Sequence, residues 1–194
     1  MAGRLVIAAM LLLTSVASGA AAGFSFIEAS PNALRTTHNI RLEIVRPKGF
    51  RLAKPTSRST AFKAHPYDVT LAGFLGRDQA ILLHAERVTD RSGASNYDTL
   101  PPGDLPGFRM RTQCAAIAAA DVAEEHDLAW LARHGWNPAG ASLAIRQYFR
   151  TTTDHEEEVV ISLLAKVERC GEEAVIAGAM TALRRVLKVR QIGL

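Results

Sequence analysis

The chain of 194 residues is poor in cysteine, with two, and in aromatic residues, which make up 6% of it. It has no Cys-x-x-Cys pair, so the spacing that marks redox-active thiols is missing. No Gly-x-Ser-x-Gly elbow is present, which removes the commonest serine-hydrolase signal. No Gly-x-x-x-x-Gly-Lys phosphate loop, dinucleotide fingerprint or His-Glu-x-x-His zinc motif occurs either. No cofactor is therefore expected. Charge of one sign is also scarce. A net +4 spread along the chain is too mild to imply nucleic acid as a partner. Beyond the N-terminus no run is long and apolar enough for a bilayer span, which takes about 20 residues.

What is present begins with a leader. Arg4 precedes an apolar run over residues 5–16, and the small residues Ala17-Ser18-Gly19-Ala20-Ala21-Ala22 follow. A basic start, a short apolar stretch and an A-x-A exit form the pattern of a secretory signal peptide. Cleavage is expected after Ala22, with Ala20 as the alternative, and the mature chain is expected in the periplasm or outside the cell. In that oxidising space Cys114 and Cys170 are expected to pair as a structural disulfide, a free or redox-active pair being the alternative. The bridge closes a loop of about 57 residues, worth about 4 kcal/mol in the chain-entropy account.

Residues 23–38 are weakly patterned and read as a flexible leader or a short edge element. Ile40, Leu42 and Ile44 alternate with polar residues, the period of a half-buried strand. Pro47-Lys48-Gly49 marks a turn, and residues 54–63, with Pro55, Ser57, Arg58 and Ser59, read as loop. Alternation over residues 67–75 and 79–88 around Gly76-Arg77-Asp78 predicts a hairpin. Residues 90–107 hold three prolines and three glycines, a loop long enough to suggest a functional or mobile role. An extended piece from Phe108 to Cys114 follows. A helix is predicted over residues 124–134, with Asp121 as its N-cap and Gly135 ending it.

Residues 143–167 predict the clearest hairpin. Leu143, Ile145, Gln147 and Phe149 share one face of its first arm, and Arg146, Tyr148 and Arg150 lie on the other. The second arm is apolar on both faces in its middle, as in a central strand covered by helices on one side. A last helix is predicted over residues 172–189, its apolar stripe running through Ile176, Met180, Leu183 and Leu187.

Together these elements predict an α+β fold over residues 39–194, an antiparallel sheet of about six strands with helices packed on it. This order resembles the PsbP-like and DcrB-like α/β sandwich of exported proteins. The early strand into Pro47-Lys48-Gly49-Phe50, the long hairpin and the final helix carry the resemblance. It implies the sandwich fold and supplies no catalytic motif.

For chemistry, His84 and Glu86 share a strand face at i, i+2, which makes them the metal candidates, though a complete site needs a third ligand. His126 and His134 are about 12 Å apart along one helix, too far to share an ion. Arg146, Tyr148 and Arg150 form a face suited to an acidic or carbohydrate-bearing partner, or an ordinary solvated sheet face. Trp136 offers either an interface anchor or a core ring. Tyr97 and Asp98 in the long loop complete the binding candidates. Three functions are compatible with these residues. The first is an exported accessory protein, without catalysis of its own, that docks on another envelope protein. The others are a small hydrolase or metal-dependent enzyme, and a small-molecule carrier.

Overall fold

The computed structural model describes residues 23–193. The signal-peptide expectation lies outside them. Among the described residues ten strands form two antiparallel sheets, accompanied by three helices. The fold is mixed α+β, as the sequence predicts. No helix among the described residues is long and apolar enough to cross a membrane.

The smaller sheet has the order β1-β2-β3-β10, built from Ile27–Ser30, Ala33–Thr36, Leu42–Val45 and Lys188–Gln191. Of the two readings open for residues 23–38, the edge element is the one observed: residues 27–36 make the β1–β2 hairpin, and Leu34 is fully buried. The flexible-leader reading does not hold for these ten residues. β10 corrects the end of the chain. The last helix stops at Val186, and residues 188–191 pair with β3 instead of continuing it. Leu187 is buried in the same core as the helix stripe, so the apolar period runs on past the point where the backbone changes.

The larger sheet has the order β4-β5-β6-β9-β8-β7. Its strands are β4 (Arg51–Phe62), β5 (His65–Leu75), β6 (Gln79–Val88), β7 (Arg109–Ala116), β8 (Ser142–Thr151) and β9 (Glu157–Val167). β4 overturns the loop expected over residues 54–63. It is an edge strand, and its register with β5 shifts between Ala53 and Thr56. Pro55 sits in that irregularity, where a missing N–H breaks no ladder. The polar composition that suggested a loop belongs to a strand with only one neighbour and one covered face. Both predicted hairpins form, β5–β6 and β8–β9, and β9 is internal, paired with β6 on one side and β8 on the other.

Strand alternation divides the large sheet between two cores. On one face Phe74, Ile81, Leu83, Ile161 and Leu163 pack with Leu34, Leu42 and Ile44 of the small sheet. The helix α3 (Glu173–Val186) joins them through Met180 and Leu183. Glu157 ties this layer down: its carboxylate accepts from Arg87 Nε and Nη2 at 2.9 and 2.7 Å and from the Asn39 N–H at 2.8 Å. On the opposite face Leu71, Leu82, Leu143 and Leu164 meet α2 (His126–Arg133) through Leu128, Trp130 and Leu131.

The predicted helix over 124–134 is in fact two. α1 (Ala119–Glu124) ends at Glu125, which opens α2 in extended conformation. Asp121 stands at the third helical position of α1, accepting the Ala118 N–H at 2.7 Å, instead of being a cap for the second helix. Gly135 ends α2 at φ 75°, the left-handed conformation that favours glycine. The Cys114–Cys170 disulfide is present, with Cα atoms 5.5 Å apart. It fastens edge strand β7 to the turn before α3.

Candidate functional site

α2 covers only part of its face of the large sheet. Beside it the sheet floor is open, and Tyr97 of the 90–107 loop lines the same space. The chamber between them is a small cavity of about 70 Å³, partly open to solvent. Its floor follows from register. β4, β5, β6 and β9 place Arg58, Val69, Glu86 and Glu158 in one row. β7, β8 and β9 place Arg111, Gln147 and Ser162 in another. His84 and Val160 lie between the rows. Leu128 and Leu131 of α2, with Leu82, Ile145 and Leu164, supply an apolar wall.

The first row carries a chain of ionisable groups. His84, 9% exposed, places Nδ1 3.0 Å from Glu86 Oε1 and Nε2 3.1 Å from Asp127 Oδ2 in the first turn of α2. Asp127 Oδ1 in turn lies 3.8 Å from His126 Nδ1 and 4.0 Å from Arg58 Nη2. Burial works against a charged His84 ring, but the Asp127 carboxylate, with help from Glu86, outweighs it and raises the pKa to about 10. Burial likewise opposes the Asp127 charge, and His84, His126 and Arg58 overcome it, holding this carboxyl well below the usual range. Glu158 is the opposite case. Burial and then the neighbouring Glu86 charge push it well above an ordinary glutamate.

Tyr97 of the loop completes the chain. Its hydroxyl hydrogen-bonds Glu158, and burial followed by the Glu158 and Glu86 charges raises its pKa steeply. Its ring stacks on Phe149 with centroids 4.4 Å apart. His84 Nδ1 hydrogen-bonds Glu86 Oε1 at 3.0 Å, while Nε2 makes an ion-pair contact with Asp127 Oδ2.

The second row is neutral apart from Arg111. Its Nε and Nη2 both donate to Gln147 Oε1, at 2.8 and 2.6 Å, and Gln147 Nε2 donates to Ser162 Oγ at 3.3 Å. The guanidinium also sits 5.3 Å from the Phe149 ring centroid.

This arrangement bears on chemistry directly. A hydroxyl nucleophile needs an imidazole nitrogen free to take its proton. Both nitrogens of His84 face carboxylates and the ring holds its proton to about pH 10, so it is poorly placed to activate Ser162. Among the described residues no group of three or more His, Cys, Asp or Glu side chains is arranged to hold a metal ion. The third group that His84 and Glu86 required does arrive, as Asp127, but as an ion-pair partner.

The other sequence candidates fall in different places. Tyr97 lines the chamber, whereas Asp98 beside it is exposed and 4.0 Å from His155. Arg146, Tyr148 and Arg150 project from the face of β8 away from the chamber. Tyr148 is fully buried in the first core, edge-on to Phe108, so the three do not form an open face. Arg146 Nε donates to Thr112 Oγ1, and Arg150 lies 6.0 Å from the Phe108 ring centroid. Trp136 is 2% exposed in the second core under Lys166, and is a core ring, not an exposed anchor.

Asp127, Glu158, Arg58, Arg111 and Gln147 were not anticipated as site residues. The readable signal was weak: Glu158 and Ser162 interrupt one face of an otherwise apolar central strand, and Gln147 sits among Leu143, Ile145 and Phe149. Comparison with protein-family models, curated proteins and solved structures finds no match.

Proposed function

We propose that this is an exported binding protein, without catalysis of its own, that holds a small molecule in the chamber between the large sheet, α2 and the 90–107 loop. One observation carries the reading. A cluster of buried and part-buried ionisable groups, Glu158, His84, Glu86 and Asp127, faces a cavity instead of being packed shut. Burying several charges costs more than filling the same space with apolar side chains. A cavity lined by apolar walls and a few convergent polar groups with displaced pKa values is the usual form of a ligand site. Binding is favoured over catalysis because His84 is fully engaged by two carboxylates. Export rests on the leader pattern, and the disulfide fits an oxidising compartment.

Docking on an envelope protein drew on the 90–107 loop and the Arg146–Tyr148–Arg150 face. Tyr97 of the loop instead lines the chamber, and Tyr148 is buried. The small-molecule reading therefore has the stronger support. A fragment screen read by methyl NMR at Val69, Val160 and Leu164 tests it. The expected outcome is a set of compounds that shift these methyls and leave those of Leu34 and Ile44 in the other core unmoved. A library that moves none of them contradicts the reading.

A further inference from the structure

The two charge systems in the chamber are not equivalent. Around the first row, Arg58 and His84 face the carboxylates of Glu86 and of Asp127 in α2, so two cations meet two anions. Arg111 stands apart. Among the described residues no carboxylate lies within 4.0 Å of it, and its acceptor is the neutral amide oxygen of Gln147, which takes both Nε and Nη2. A half-buried guanidinium with only a neutral acceptor lacks the counter-charge that such groups ordinarily find. Burial depresses its pKa, and no carboxylate offsets that.

The surroundings of Arg111 define a shape as well as a charge. Its cation lies over Phe149, whose ring also stacks on Tyr97, so one side of the site is aromatic. The Gln147–Ser162 pair extends a line of hydrogen-bonding groups from the guanidinium along the floor. Ile145, Leu164, Leu128 and Leu131 close the other side with apolar surface. A guanidinium presents donors in a planar fork that matches a carboxylate.

Resting on the binding reading above, we propose that the chamber's ligand is a small monocarboxylate with an apolar body, its carboxylate paired with Arg111 and its body against the α2 wall. A single negative charge is what this end of the chamber lacks. A cationic ligand would instead be repelled by Arg111 and would have to compete with Arg58 and His84 for the carboxylates they already occupy.

Benzoate, benzamide and benzylamine form a matched set of probes that differ in the charge of one substituent. Titration into the whole mature protein, followed by the Arg111 Nε–H resonance and the Val160 and Leu164 methyls, should show benzoate binding at least tenfold tighter than benzamide, with benzylamine weakest. Arg111→Gln should bring benzoate down to the benzamide level, and Arg111→Lys should restore part of the difference. Because Arg111→Gln also removes the hydrogen bonds from β7 to Gln147, Arg111→Lys and the wild-type Arg111 resonance each stand as separate readouts. Preference for benzylamine or benzamide, or benzoate binding unchanged in a folded Arg111→Gln, overturns the proposal. If other fragments shift the chamber methyls while benzoate does not, the carboxylate assignment fails and the binding reading survives. If nothing shifts them, both fail.

Discussion

Replacing Asp127 by Asn removes the strongest partner of the His84 cation while keeping the size of the side chain. In the native protein His84 has its pKa raised from 6.5 to about 10. By proton linkage, that difference contributes about 4 kcal/mol of stability at pH 7. The contribution is complete below the unfolded pKa of 6.5 and is lost as pH rises through about 10. Asp127, whose pKa is depressed, contributes in the other sense: its share is present above the ordinary aspartate range and is lost as pH falls through its lowered value. The two describe one interaction, so they are not added. Breaking a buried pair from one side costs about 3–5 kcal/mol, which agrees. D127N should therefore be less stable than wild type by about 3–5 kcal/mol at pH 6–7, with the gap narrowing in strong acid and above pH 10. The His84 pKa, read from its imidazole proton in an NMR titration, should fall by about 1–3 units, Glu86 remaining as its partner. Urea denaturation across pH supplies the stabilities. A variant that keeps the native His84 titration and loses under about 1 kcal/mol would show that the pair is no stronger than a solvated surface bridge, and the reasoning would be refuted.

Three further outcomes follow from the same structure. Cys114→Ser with Cys170→Ser should lose about 4 kcal/mol of stability in urea denaturation, chiefly from the freed unfolded chain, and a loss below about 1 kcal/mol would contradict that origin. Glu158 has a raised pKa, so its contribution is present below the ordinary glutamate range and is lost as pH rises through its folded value. Glu158→Gln should accordingly leave acid stability nearly unchanged and flatten the decline on the alkaline side, and an unaltered alkaline limb in the pH–stability profile would exclude a protonated Glu158. Trp130 is fully buried, and its Nε1 donates to Thr56 Oγ1 at 3.2 Å. Trp130→Ala should cost about 3–5 kcal/mol by thermal and urea unfolding, and a change within about 0.5 kcal/mol would place the ring outside the core.

The parts of the fold legible in the sequence are those where local pattern and tertiary environment agree. β5–β6 and β8–β9 show alternation, and β9 shows apolar residues on both faces because it lies inside the sheet. β4 was illegible because an edge strand with a register irregularity carries the polar residues and proline of a loop. β10 was illegible because Leu187 and Val189 prolong the helix stripe, while the partner that draws residues 188–191 into a strand is β3, well over a hundred positions earlier. The small sheet as a whole depends on such distant pairings. The site behaves in the same way. His84 and Glu86 were visible as a pair because one strand carries both, and Tyr97 because its loop is long. Asp127, Arg58 and Arg111 come from α2 and the two opposite edges of the large sheet, and no spacing along the chain brings them together.

The claim on which the rest depends is that the chamber is a place for another molecule. Native mass spectrometry of the mature protein, purified gently from the cells that make it, tests this most directly when set beside a variant with Val160→Phe that fills the chamber floor. The wild type should carry a small-molecule adduct that is released on denaturation and missing from the folded variant. An adduct retained by the variant, or none on either protein even after incubation with an extract of the same cells, would contradict it.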